Sequence, residues 1–157
     1  QTPAKVYFTR TTDGKTFETQ TTRVRTNATF EKGLPLGEWT VAVKKQGYLD
    51  YEITGFKVEV NDGQTEIYFG AAAGQESTGP CKKIVPIIGN TNGKGNVVSL
   101  LDVGVVGAGL RTGANSIVRS RADVDDDGET KVEDMAYINA NYGCRKITQT
   151  YEDFKAN

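Results

Sequence analysis

Near its carboxyl-terminal end the chain reads DVDDDGETKVED from Asp123 to Asp134, with carboxylates at positions 1, 3, 5 and 12 of a twelve-residue stretch and glycine at position 6. This spacing suits a hard cation. Calcium takes six to eight oxygens, and a loop of this length curls Asp123, Asp125, Asp127, the Glu129 carbonyl and Asp134 around one centre while Gly128 makes the sharp turn. The competing reading is a solvated acidic loop, but such a loop has no reason to set glycine at position 6 and an acid at position 12 ahead of an apolar helical run.

The stretch is an EF-hand-type calcium loop by pattern, and a second copy lies upstream as NTNGKGNVVSLLD, Asn90 to Asp102. Counted from Asn90, Asp102 falls at position 13, so this copy carries one extra residue, and Lys94 stands where an oxygen ligand is expected. Asn90, Asn92 and Asp102 are its candidate ligands. Coulomb attraction favours the second loop, with its four ligand carboxylates, over a first loop whose Lys94 offsets Asp102. The sequence therefore predicts one strong calcium site and a first loop that is weak, bent around the insertion or empty.

Each loop runs into a helical pattern. In Ser99 to Leu110, Val103, Val106 and Leu110 form a core face, while Leu100, Leu101, Val105 and Ala108 leave a second apolar face. In the second copy the core positions are Met135, Ile138 and Tyr142, and the outer ones Val132, Ala136, Asn139 and Ala140. A small domain buries only one such stripe, so the other is covered by a neighbouring domain or kept for a partner. Gly104, Gly107 and Gly109 each cost a helix interior about 1 kcal/mol relative to alanine, which makes sense where another surface approaches closely. A frayed first helix is the alternative.

Two loop–helix halves joined by residues 111–121, with no entering helix before Asn90, resemble a dockerin, the calcium-dependent plug that docks cellulosome components into cohesin modules. The resemblance covers about residues 84–145. Departures are the thirteen-residue first loop, Lys94, and Thr130 at position 8, where the family usually has an aliphatic residue. It implies that the outer residues at each helix start, Leu100 and Leu101, then Val132 and Glu133, touch the cohesin. The aliphatic pair in the first copy looks more like type II members. Leu-Leu against Val-Glu leaves no near-symmetric surface, which favours one docking orientation.

The first half is built of different material. Val6 and Phe8; Trp39, Val41 and Val43; Phe56, Val58 and Val60; and Ile67 and Phe69 alternate with period two, which predicts strands. Turn residues at Asp13-Gly14, Lys32-Gly33, Gln46-Gly47 and Asn61-Asp62-Gly63 separate them, suggesting an antiparallel sandwich of about seven strands. GLPLGEWTVAVKKQGY, Gly33 to Tyr48, resembles carboxypeptidase-regulatory or collagen-adhesin B-type repeats, and the run from Gly47 to Gly63 resembles the X module that precedes type II dockerins. Such adhesin repeats imply a Lys–Asn isopeptide bond with Lys5 as a nominal amine. The reading preferred is a solvated lysine and a structural buttress.

The expected fold class is thus mixed: a small antiparallel β-sandwich (X module) over residues 1–72, a linker over 73–83, and an α-helical dockerin with two EF-hand-like calcium loop–helix repeats over 84–157. The chain has 157 residues, 37% hydrophobic, and a net charge of −1. That is enough for two small cores, with no basic field for nucleic acid and no apolar span for a membrane. Its start at Gln1, close to the first strand signal, suggests a fragment of a longer secreted protein. Cys81 and Cys144 bracket the calcium region, 63 positions apart. Bonded, they would stabilise by up to about 4 kcal/mol and imply an extracellular compartment; two free thiols are the alternative. Without histidine or a nucleophile–base signature, catalysis is not expected. The functional expectation is a non-catalytic, calcium-dependent module that binds a type II-like cohesin to assemble or anchor a cellulosome. The alternative is a calcium-stabilised surface adhesin or stalk segment without a cohesin ligand.

Overall fold

The computed structural model describes residues 3–20, 34–59, 87–94 and 96–156. Its strands are β1 (Lys5–Arg10), β2 (Thr16–Gln20), β3 (Gly37–Lys44), β4 (Gly47–Tyr48), β5 (Tyr51–Val58), β6 (Ile88–Asn90) and β7 (Ile147–Thr150). Its helices are α1 (Leu100–Gly109), α2 (Ser116–Ala122), α3 (Val132–Asn141) and α4 (Tyr151–Ala156). The chain forms two compact units, one of residues 1–4, 44–50 and 86–147, the other of residues 5–43, 51–85 and 148–157.

The strand-rich unit is a five-stranded sheet in the order β2-β1-β3-β5-β7. Alternation drives it: Val6 and Phe8 of β1, Trp39 and Val41 of β3, and Tyr51 and Ile53 of β5 are buried, each set on one face of its strand. β1 pairs antiparallel with β2, and β3 with β5. The β3–β5 register slips between Trp39 and Val41, so that Trp39 faces Phe56 but Val41 faces Ile53. Gly55, at φ +72°, is the residue that absorbs the slip; a left-handed backbone there suits only glycine at low cost. Without it Phe56 would point away from the core. Trp39 is fully buried, and its indole Nε1 donates to the Pro35 carbonyl at 3.1 Å.

The carboxyl-terminal tail completes this sheet. Thr150 caps α4, its Oγ1 accepting from the Asp153 amide at 3.1 Å. The helix turns Phe154 inward to 2% exposure, and Tyr151 meets Phe56 edge-on with ring centroids 5.2 Å apart.

The other unit has its own core of Leu49, Val98, Val106, Ala122, Val124 and Ile138. Here β4 pairs with β6, and Leu49 donates its amide to the Ile87 carbonyl. Val97 bridges to Arg145, and Val98 exchanges backbone hydrogen bonds with Gly143 and Cys144.

These observations overturn the expected fold class. The chain is not a sandwich followed by an α-helical dockerin with paired EF-hand-like repeats. Among the described residues the largest element is a five-stranded sheet that draws strands from both ends of the chain, and there are also a two-stranded ribbon and four helices of 6 to 10 residues. Position along the chain places the tail with the helices, but Phe154 is buried and Tyr151 packs on Phe56 of β5, so the tail belongs to the sheet. Strands expected around Val60, Ile67 and Phe69, turns at Lys32-Gly33 and Asn61 to Gly63, the 73–83 linker and Cys81 lie outside the described residues.

Candidate metal loop and exposed helix faces

The acidic loop is wound by its own amides. The Asp127 amide donates to Asp123 Oδ1 at 3.0 Å and lies 3.2 Å from Asp125 Oδ1, while the Gly128 amide donates to Asp123 Oδ2 at 2.9 Å. Gly128 sits at φ +100°, and Asp126, at φ +63°, is the one non-glycine residue of positive φ among those described. At the far end Asp134, 2% exposed, takes the Val124 amide at 2.6 Å on Oδ1 and the Lys131 amide at 2.7 Å on Oδ2. Asp134 therefore caps α3 and ties both ends of the loop together.

As a result, one carboxylate oxygen each of Asp123, Asp125 and Asp134 lie within 4.8 Å of one another. Two oxygens sharing a calcium ion at about 2.4 Å each can stand no farther apart than about 4.8 Å, so this all-oxygen set fits that ion. Burial pushes the Asp123 carboxyl up, against the Gly128 and Asp127 amides that pull it down; the charges of Asp134 and Asp127 raise it further. A bare loop repels itself.

Asp127 and Glu129 are engaged otherwise. Lys131 Nζ lies 2.9 Å from Asp127 Oδ2 and 2.8 Å from Glu129 Oε2. The Lys131 hydrogen bond holds Asp127 below the usual carboxylate range, and Glu129, then Asp127, push the Lys131 ammonium well up. Lys45 Nζ stands 3.8 Å from Asp126 Oδ2. Thr130, the unusual residue at position 8, donates its hydroxyl to the Arg119 carbonyl at 2.9 Å.

The first loop is wired differently. Asn90 ends β6 and donates its side-chain amide to the Tyr48 carbonyl at 3.2 Å. Asp102, fully buried, receives the Asn92 and Ser99 amides at 3.1 and 2.8 Å, as Asp134 receives those of Val124 and Lys131. Every one of these matched residues is 32 positions from its counterpart. The repeat thus begins at Thr91, with Asp102 at position 12, and the extra residue counted from Asn90 disappears. Aligning the two capping acids instead of the two asparagine- or aspartate-rich starts reveals this in the sequence alone.

On the helices, Leu100 and Leu101 are each 70% exposed and Val132 is 72% exposed. Glu133, Ala136, Asn139 and Ala140 of α3 and Gly104 of α1 are exposed as well, whereas Ala108 is half-buried. Val105 is half-buried against the core beside Val103 and Met135. Val106 and Ile138 are fully buried, but Leu110 and Tyr142, expected on the core faces, are 40% and 57% exposed. Both stand just past the last helical residue, Leu110 still in helical backbone geometry and Tyr142 no longer in it. A β-carbon on Gly104 or Gly107 would meet nothing within 4 Å, whereas one on Gly109 would lie 2.3 Å from the Ala122 β-carbon. Only Gly109 is explained by packing within the chain. The sequence reading also missed α2, whose signal is Asn115: its side chain accepts the Val118 amide at 2.9 Å. Cys144 is a free, half-buried thiol among the described residues.

No protein-family model matches the chain. None of the curated proteins matches it. Among solved structures, it is similar to a chain of a type II cohesin–X-dockerin complex from Acetivibrio cellulolyticus, a C-terminal interface mutant, at 16% identity and TM-score 0.54, over 91% of this chain and 83% of that one. An N-terminal interface mutant of the same kind of complex matches at 14% identity and TM-score 0.49, over 92% and 83% of the two chains. The first likeness concerns the fold, and it runs along nearly the whole chain.

Proposed function

We propose that this chain is a non-catalytic protein-docking module of the cohesin–dockerin kind, taking the dockerin part in an extracellular cellulosome, and that calcium held by its acidic loop supports the docking surface. The observation that carries the reading is the convergence of Asp123, Asp125 and Asp134 oxygens within 4.8 Å, immediately ahead of a helix that starts with the exposed Val132. The fold likeness to a chain of a type II cohesin–X-dockerin complex points to the class of partner.

Asp123, Asp125 and Asp134 would hold the ion, with Asp127 and the Glu129 carbonyl as further oxygens once Lys131 yields. Bound calcium would supply the positive charge that the clustered acids lack. Asp134 connects this to the surface, because the same carboxylate caps α3 through the Lys131 amide. Leu100, Leu101 and Val132, with the bare glycine track of α1, would form the apolar centre of the interface, where burying exposed aliphatic side chains is favourable.

The test is a panel of purified cohesins, type II included, mixed with the full chain in calcium and in chelator. Binding of a cohesin in calcium and its loss in chelator is expected. Failure of every cohesin to bind in calcium contradicts the reading and leaves a calcium-stabilised stalk.

A further inference from the structure

The dockerin resemblance implies a cation in each loop, but the two copies of the 32-residue repeat do not offer it the same chemistry. Position 12 is an acid in both, Asp102 and Asp134. At positions 1, 3 and 5 the second copy has Asp123, Asp125 and Asp127, and the first has Thr91, Gly93 and Gly95. The first loop thus has no second carboxylate to meet Asp102, and the turn differs too. Gly128, at φ +100°, corresponds to Asn96, which has no positive φ, whereas Gly93 in the first loop is at φ +62°.

Asp102 is also already satisfied. Besides the Asn92 and Ser99 amides, its Oδ1 receives the Asn92 side-chain Nδ2 at 2.6 Å and its Oδ2 the Ser99 hydroxyl at 3.1 Å. Thr91 Oγ1 donates to the Asp102 carbonyl at 3.1 Å and lies 3.4 Å from Oδ1. A carboxylate has about four lone-pair sites, and four donors fill them. Among the described residues Asp134 receives its two backbone amides and no side-chain donor, which leaves a lone pair on each oxygen for a ligand.

We infer that the first loop is a cation-free copy, in which the Asn92 amide and the Ser99 hydroxyl do for Asp102 what calcium does for the second loop. The start of α1, with Leu100 and Leu101, is then built without metal, whereas the start of α3 depends on it. Each chain takes one calcium ion. This rests on the reading of the second loop as the calcium site, and the experiment separates the two.

Calcium titrated into the full chain by calorimetry is expected to fill a single site, and Asp123→Ala with Asp125→Ala to abolish it. Two sites in the wild type, or binding that survives the double substitution, overturns the inference. If the wild type binds none, the second-loop reading fails, and a second measurement decides the first loop. Asn92→Ala should lower the melting temperature by about 4 °C, equally in excess calcium and in chelator. A loss confined to calcium overturns the inference, because Asn92 would then be acting as a ligand.

Discussion

Asp127 sits between two positive charges, the calcium expected in its loop and the Lys131 ammonium 2.9 Å away. A tethered cation both steadies the bare loop and competes with the ion. Lys131→Ala should therefore tighten calcium binding by about tenfold at low ionic strength, since a unit charge about 4 Å away is worth on the order of 1 kcal/mol even where bulk water screens it; calorimetry at two salt concentrations checks it. Asp123→Ala with Asp134→Ala acts in the opposite direction. It removes two ligands and the acid that caps α3, and should weaken calcium binding by at least about 100-fold and reduce helicity in far-ultraviolet dichroism. A separate, solvent-exposed residue pair contributes to the pH dependence of stability. The Arg10 hydrogen bond, then the Lys15 amide, hold Asp13 at about 2. A carboxylate depressed on folding stabilises above its unfolded value of about 3.9 and loses that contribution as pH falls through the folded value. Asp13→Asn should thus lower the melting temperature at neutral pH, with the difference shrinking between about pH 4 and about pH 2.

At the scale of elements, α1 combines two kinds of glycine. Gly109 lets α2 approach, and Gly109→Ala, with its β-carbon 2.3 Å from that of Ala122, should cost about 1–3 kcal/mol by overpacking. Gly104 and Gly107 have open space, and alanine at each should stabilise by up to about 1 kcal/mol; melting curves separate the two classes by sign. Leu100→Asp with Leu101→Asp changes the exposed start of the same helix. It should leave dichroism unchanged and weaken cohesin binding by at least about 100-fold, the equivalent of two lost leucine anchors. What the sequence made legible follows from the same distinction. The convergence of acids in the second loop follows from side-chain type and spacing, so the cluster of Asp123, Asp125 and Asp134 oxygens was legible in the sequence. Counting from Asn90 misregisters the first loop, because Asn90 mimics a loop start although its side-chain amide serves the Tyr48 carbonyl; counting back from the capping acids Asp102 and Asp134 restores the 32-residue period. Strands β1, β3 and β5 were readable from alternation. The joining of β7 and α4 to the sheet was not, because pairing between chain ends is a long-range contact that local periodicity does not encode.

For the whole molecule, the proposed calcium site would couple folding and docking through one ion. A ligand that binds only the folded state stabilises it by mass action, so chelation should lower the melting temperature of the chain, and by linkage a partner that needs the ordered loop should itself tighten calcium binding. The first loop, wired through Asn92 and Ser99, would give the proposed docking surface a part that persists without metal, and the second would make the rest conditional. The measurement that addresses this most directly is cohesin affinity as a function of free calcium, with the full chain and a cohesin that binds it. The account predicts that log affinity rises with log calcium at a slope approaching one, and levels off once the acidic loop is filled. An affinity that stays flat from chelator to excess calcium would contradict it.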